Sequence, residues 1–169
     1  MNLVGLVGIL AGLAMYALAR YVQRSKTVEA ISTVGALGTN AATFYNASDS
    51  NQPAGTKPEA AHAMRHFPAS SKDSVPKDFV DVRGKRYASG PGDWSVSPWR
   101  ELKFSIQQPQ YYSYSFQSSG VGTSAKAFAI ASGDLDGDGH ASTYKLAIEP
   151  DPTATAHVAA QVDRLDPEE

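Results

Sequence analysis

Three aspartates at alternate positions form the stretch of this sequence whose residue types most clearly suggest chemistry. They are Asp134, Asp136 and Asp138 in the segment GDLDGDG, and Gly139 follows them. This order is the D-x-D-x-D-G start of a calcium loop, in which carboxylates and one backbone carbonyl, here that of His140, surround a hard cation. Three carboxylates at close range repel one another, which also favours a counter-ion. The sequence therefore predicts a candidate Ca²⁺ site at these four residues.

The remainder of this segment departs from the EF-hand pattern. The twelfth position of an EF-hand loop holds a bidentate glutamate, and Lys145 stands there in this chain. Both flanking segments have the composition of strands, whereas an EF-hand loop lies between helices. Two alternatives stay open: a looser calcium site completed by backbone or by another loop, and a metal-free hairpin turn, which Asp-Gly pairs form readily.

No motif in the sequence points to catalysis. The chain has no cysteine, and it contains no G-x-S-x-G, phosphate-loop or dinucleotide-binding glycine pattern. The formal net charge of -2 gives no argument for a nucleic-acid partner. We therefore predict a protein that is not an enzyme and does not bind nucleic acid.

The first 45 residues are predicted to form one long helix, because no proline precedes Pro53. Residues 1–20 contain the apolar run Leu3–Ala19, and residues 21–45 are amphipathic. In the second part, apolar residues recur at three- and four-residue steps, which predicts one stripe facing a partner: Ile31, Val34, Leu37, Ala41 and Phe44. Polar residues of the same part are expected to face solvent or neighbouring subunits: Gln23, Arg24, Lys26 and Glu29.

The rest of the chain is predicted to divide into a connecting loop region, residues 46–98, and a β-rich head with a C-terminal tail, residues 99–169. Four segments have the alternation or composition of strands: Trp99–Ile106, Tyr111–Ser119, Ala125–Ser132 and Ser142–Glu149. A further short strand is predicted around Phe79–Val82. Short connections between consecutive strands predict an antiparallel meander, whose apolar face the helix stripe covers. The predicted fold class is α+β, a long N-terminal helix on a four-stranded antiparallel sheet.

The apolar run is short for a membrane span, and its flanking charges are unusual. About 17 residues at roughly 1.5 Å each reach about 25 Å, whereas a bilayer core measures about 30 Å. Arg20, Arg24 and Lys26 follow the run, and no basic residue precedes it. By the positive-inside tendency, this arrangement alone would leave the polar part in the cytoplasm.

The segment VGILAGLAMYALARYVQRSKTVEA, residues 7–30, resembles the N-terminal helix of type IV pilins and pseudopilins. Aligned on Gly8, Ile9, Leu10 and Ala11, the resemblance implies about six further mature residues and a basic leader before Met1. Those residues would lengthen the apolar run to about 23 residues, roughly 35 Å of helix. The basic leader would also reverse the charge asymmetry. We therefore expect that Met1 is not the natural start, and the alternative that stays open is a divergent pilin-like protein that is never processed.

Three further segments strengthen this resemblance. Residues 102–116 (LKFSIQQPQYYSYSF) and 133–146 (GDLDGDGHASTYKL) resemble the paired strands of pilin-like proteins from delta-proteobacteria such as the myxobacteria. The tail VDRLDPEE, residues 162–169, resembles the acidic end of those proteins. Many pilins close a C-terminal loop with a disulfide, which a chain without cysteine cannot form.

The resemblance implies a structural subunit of a type IV pilus-like filament that serves adhesion, surface motility or DNA uptake. Such a subunit is anchored by its helix in the bacterial inner membrane, with its head in the periplasm, before it enters an extracellular filament. Its expected partners are membrane lipid, the inner-membrane assembly platform, and other copies of itself or related pilins. Two alternatives stay open: a pseudopilin of a type II secretion system, and a membrane-anchored calcium-binding or adhesion module that never polymerises.

Overall fold

The computed structural model of this chain describes residues 3–48 and 57–166. Residues 1–2, 49–56 and 167–169 lie outside the described residues, and with them part of the predicted connection and the last three residues of the tail. Helix α1 spans Leu3–Ala47, so the predicted long helix is present in the described residues without a break. At about 1.5 Å per residue, its 45 residues extend roughly 68 Å. A short helix, α2, follows at Pro58–Met64.

A single antiparallel sheet forms the head, and its first three strands are long and consecutive. They are β1 (Ser113–Ser119), β2 (Lys126–Gly133) and β3 (Ser142–Pro150), paired in sequence order. Two short strands, β4 (Ala156–Val158) and β5 (Asp163–Leu165), both pair with β3 along its other edge. The α+β class and the antiparallel sheet are therefore confirmed, and the sheet has five strands.

The strand predicted at Trp99–Ile106 is wrong. This segment forms successive tight turns, in which the amide of Leu102 donates to the Pro98 carbonyl at 2.9 Å and Lys103 has a φ of 50°. Trp99 and Leu102, three residues apart, are both buried in the core. The apolar spacing of this segment therefore serves a compact turn that buries an aromatic cluster.

The short strand predicted around Phe79–Val82 is also wrong. These residues form one 3₁₀ turn, capped where the Asp78 carboxylate accepts the amide hydrogen of Val80 at 3.1 Å. An aspartate placed before the turn supplies the acceptor that its first amides need. Val82 points into the core from this turn and is fully buried.

Helix α1 packs across the sheet with its C-terminal half. Val34, Leu37 and Ala41 are fully buried as predicted, and Ala30 and Tyr45 complete the stripe. Phe44 and Ile31, by contrast, are only half-buried. The helix approaches the sheet closely at Gly38, where an added Cβ would lie 3.0 Å from Leu146 Cδ2 and 3.2 Å from Val158 Cγ1.

Strand β2 turns its small side chains towards the helix. Ala127, Ala129 and Ala131 are fully buried, whereas Phe128 and Ile130 lie half-buried on the opposite face of the sheet. Alternate side chains of a strand point to opposite faces, so the larger residues cannot share this interface. The alanine row and Gly38 together allow the helix to lie close to the sheet.

Other segments cover both edges of the sheet. Along β1, Val75 exchanges two backbone hydrogen bonds with Tyr114, and the Ser71 amide donates to Phe116 O at 2.8 Å. Along the far edge of β3, β4 and β5 take the backbone groups. These covering segments are short, and short edge strands offer little template for adding another strand.

Candidate functional site

The turn between β2 and β3, residues 134–141, brings the three predicted aspartates together, and we call it the aspartate loop. One carboxylate oxygen of each aspartate lies within 4.8 Å of those of the other two. Asp134 is fully buried, whereas Asp136 and Asp138 are exposed. The close spacing of the three aspartates in the sequence therefore brings their carboxylates together in the structure.

The carboxylates of the aspartate loop accept hydrogen bonds from the loop's own backbone. Asp134 accepts the amide hydrogens of Gly137 at 2.6 Å and of Gly139 at 2.8 Å, one on each oxygen. Asp136 accepts from the amide of Asp138 at 3.2 Å, and Asp138 accepts from the amide of His140 at 2.7 Å. The side chains thus help to hold the turn in shape.

Arg83 brings a positive charge to the aspartate loop. Its Nε lies 3.1 Å from Asp134 Oδ2, and the adjacent Gly84 amide donates to the Asp134 carbonyl at 2.8 Å. Burial opposes ionisation of Asp134, but hydrogen bonds from Gly139 and Gly137 and the charge of Arg83 outweigh it and lower its pKa. The loop therefore has a built-in counter-charge.

A cation in the aspartate loop would rely chiefly on the exposed carboxylates. Asp136 and Asp138 each use one oxygen for a single loop hydrogen bond, whereas both oxygens of Asp134 accept amide hydrogens. Lys145 supplies no ligand, because an ammonium group has no acceptor atom, and its Nζ lies 3.8 Å from the centre of the Phe128 ring. The proposed role of the His140 carbonyl stays a prediction, as does the calcium site itself.

The N-terminal half of α1, residues 3–25, is a second candidate site. Every residue between 8 and 25 whose burial the structure describes is exposed, including Leu10 at 58%, Leu13 at 62% and Leu18 at 63%. A Cβ added at Gly8 or Gly12 would meet nothing within 4 Å. Among the described residues, no helix is both long enough and apolar enough to cross a bilayer.

A polar cluster marks the point where α1 leaves the head. The Glu29 Oε1 atom accepts the Tyr111 amide at 2.9 Å and the Tyr114 hydroxyl at 3.1 Å. Lys26 and Arg86 both lie over the Tyr111 ring, at 4.8 and 4.6 Å from its centre. Glu29, which the sequence places in solvent or at a neighbouring subunit, thus fastens the helix to β1.

Partial burial changes the ionisation of Glu29. It raises the pKa of this carboxyl above its ordinary value, because the charged form loses hydration. The hydrogen bonds from Tyr111 and Tyr114 and the charge of Arg86 offset only part of this effect.

Two further attachments hold the other end of α1 on the head. The side-chain amide of Asn46 donates to the Ala156 carbonyl at 3.2 Å, and its oxygen accepts the Ala156 amide at 2.8 Å. The buried Tyr45 hydroxyl donates to the Gly122 carbonyl at 2.7 Å. The helix is therefore fixed to the head over residues 26–46, and its N-terminal half projects from it.

Comparison of the chain with protein-family models, with curated proteins and with solved structures gives no match.

Proposed function

We propose that this chain is a structural subunit of a type IV pilus-like filament, with a pilin-like fold. The observation that carries the proposal is the projecting, apolar half of α1, since among the residues whose burial the structure describes the head covers the other half of the helix. In the bacterial inner membrane this half of the helix anchors the subunit, with the head in the periplasm. In the filament it packs against the helices of other copies or of related pilins.

The free energy of burying apolar side chains favours a partner for the exposed N-terminal half of α1. Burying a leucine side chain fully contributes about 1.5–3 kcal/mol, and Leu10, Leu13 and Leu18 are each more than half exposed. Contiguous apolar surface of this extent marks a membrane or protein interface. Membrane lipid meets this requirement before assembly, and neighbouring helices meet it afterwards.

The glycines of the same half suit helix–helix contact. A glycine inside a helix costs about 1 kcal/mol relative to alanine. Gly38 has a packing reason within the subunit, but Gly8 and Gly12 face open space. Small residues allow two helices to approach closely, so these positions favour contact with a second helix.

The covered edges of the sheet support the same mode of assembly. Subunits that join by adding strands need a long open edge, whereas short segments of the same chain lie along both sides of this sheet. The proposal therefore places the contacts between copies on the helix and on the surfaces of the heads. The expected partners also include the inner-membrane assembly platform, and the expected roles are adhesion, surface motility or DNA uptake.

The aspartate loop favours a second candidate function. Its three clustered carboxylates suit a membrane-anchored calcium-binding or adhesion module that does not polymerise. Such a protein would use α1 as an anchor only, so the assembly state separates the two proposals.

The test compares charged substitutions on the helix and on the head. Leu13→Lys should abolish filaments, seen by electron microscopy of expressing cells, because a buried lysine lacks a partner in a packed helix core. Val96→Lys, a matched change at a residue 57% exposed on the head, should leave them intact. Tryptophan fluorescence should show a folded head in both variants. Normal filaments from Leu13→Lys would refute the helix-core proposal, and a chain that forms none even when unaltered would favour the anchored module.

A further inference from the structure

A groove opens on the head among the turns of residues 89–107, and we call it the tryptophan groove. It encloses about 450 Å³ and is lined by Trp94, Trp99 and Phe104. The Trp94 ring centre lies 5.1 Å from that of Trp99 and 5.3 Å from that of Phe104, both in edge-to-face geometry. The aromatic cluster gives the groove rigid, apolar walls.

The charged residues that line the tryptophan groove are all positive. Arg100 and Lys103 are exposed there, and no acidic residue is found among the described residues of its lining. Asp93, in the same turn as Trp94, accepts the Gly90 amide at 2.8 Å instead. Apolar walls with two cations fit a ligand that combines an apolar side chain with several carboxylates.

The end of this sequence has that chemistry. Residues 165–169 read LDPEE, with three carboxylates in the last four positions. Leu165, the last residue of β5, is 64% exposed. We propose that the tryptophan groove of one copy binds residues 165–169 of a second copy, a contact that rests on the proposed filament because assembly brings the copies together.

The width of the sheet favours a contact between copies over a contact within one molecule. Trp99 and Val75 line a common cavity, and Val75 pairs with the outer edge of β1. β5 pairs with β3 at the opposite edge, so about four strand spacings of roughly 4.8 Å, or about 19 Å, separate Leu165 from the Val75 segment. Residues 166–169 reach at most about 14 Å when fully extended. This reach is shorter than the distance to the Val75 segment, which favours entry into the groove of another copy.

Fluorescence offers a direct test, because the chain has only two tryptophans and both line the groove. The full chain in detergent micelles is titrated with the peptide VDRLDPEE and with the matched control VNRLNPQQ. We expect a saturable fluorescence change with the first peptide, weakened by salt, and none with the second. The double variant Arg100→Glu, Lys103→Glu should bind the acidic peptide about tenfold more weakly. Equal responses to both peptides, or none to either, would overturn the proposal.

Cysteine crosslinking tests the contact in the filament itself, since the chain has no cysteine of its own. Lys103→Cys in one copy and Glu168→Cys in another should give a disulfide-linked dimer when the two variants assemble together. A monomeric, internally crosslinked product from the double variant would overturn the contact between copies. Filaments without the crosslink would overturn it as well and leave the proposed function intact. Peptide binding by a chain that forms no filaments would instead refute the filament and support the groove.

Discussion

Replacing Asp134 with asparagine tests whether the aspartate loop is held by its own backbone or by a metal ion. Asparagine has nearly the same shape, but it has one acceptor oxygen where aspartate has two. One of the two amides that Asp134 binds, that of Gly137 or of Gly139, must then lose its acceptor. The Arg83 guanidinium loses its negative partner.

The expected loss is large because Asp134 is fully buried. A hydrogen bond to a charged group contributes about 1.5–3 kcal/mol, and the half-exposed pair with Arg83 adds less than about 1 kcal/mol. The free energy of unfolding should therefore fall by about 2–4 kcal/mol. For a head of this size, that loss lowers the melting temperature by about 8–15 °C.

Asp136→Asn is the matched control, since Asp136 is exposed and accepts one bond, at 3.2 Å. It should cost about 0.5 kcal/mol, or roughly 2 °C. Thermal unfolding of both variants is followed by tryptophan fluorescence, once with chelator and once with calcium. We expect the same large loss for Asp134→Asn in both solutions. Equal losses for the two variants in chelator would refute the argument from burial. A loss for Asp136→Asn in calcium alone would show that the loop binds the ion, because a ligand of the native state raises its melting temperature.

Three further predictions concern the attachment of α1. Glu29→Gln keeps both hydrogen bonds through its amide oxygen. Because the pKa of Glu29 is raised above 4.5 in the folded protein, the wild type should lose stability as the pH rises above 4.5, whereas the variant should not. Melting temperatures measured from pH 4 to 8 check this difference. A wild type that melts at the same temperature throughout this range would contradict the argument. Gly35→Ala should raise the free energy of unfolding by about 1 kcal/mol, because the new methyl group meets nothing within 4 Å. Gly38→Ala should lose that gain, because overpacking there costs about 1–3 kcal/mol. Equal gains for the two variants in denaturant unfolding would refute the close approach of the helix at Gly38. Asn46→Ala removes two hydrogen bonds to β4 and should lower the free energy of unfolding by about 1–2 kcal/mol. Hydrogen exchange in β4 should become faster, and unchanged exchange there would refute this attachment.

Local pattern was enough to predict the long helix and the three central strands. The helix follows from the absence of proline before Pro53 and from the stripe of Val34, Leu37 and Ala41. The strands β1, β2 and β3 follow from composition and turn signals at their ends. Each of these signals lies within a short window of sequence, where periodicity is informative.

The elements that local pattern missed depend on distant partners. Strands β4 and β5 have three residues each and exist because the edge of β3 is free to pair. The alternation of Trp99–Ile106 suggests a strand, but burial of Trp99 against Trp94 and Phe104 folds the segment into turns. Tertiary packing outweighs strand propensity at such positions.

The same distinction between local pattern and distant partners applies to the candidate site. The clustering of the aspartates could be predicted because their spacing in sequence fixes their proximity. Arg83 lies 51 residues from Asp134, and its only local signal is a turn-forming Arg-Gly-Lys segment. In the sequence, nothing distinguishes Glu29 from the other polar residues of the helix. Its role as an attachment point follows from the position of β1 beside it.

The three attachments of α1 also determine how the subunit would carry a mechanical load. Glu29, Tyr45 and Asn46 hold the helix at both ends of its contact with the head, about 25 Å apart at roughly 1.5 Å per residue. A pull along the helix axis would act across these bonds in shear, so they would share the tension and would not open one after another. Gly38, set closely against Leu146 and Val158, would resist sliding of the helix over the sheet. In the proposed filament, these attachments would transmit force from the helix to the head.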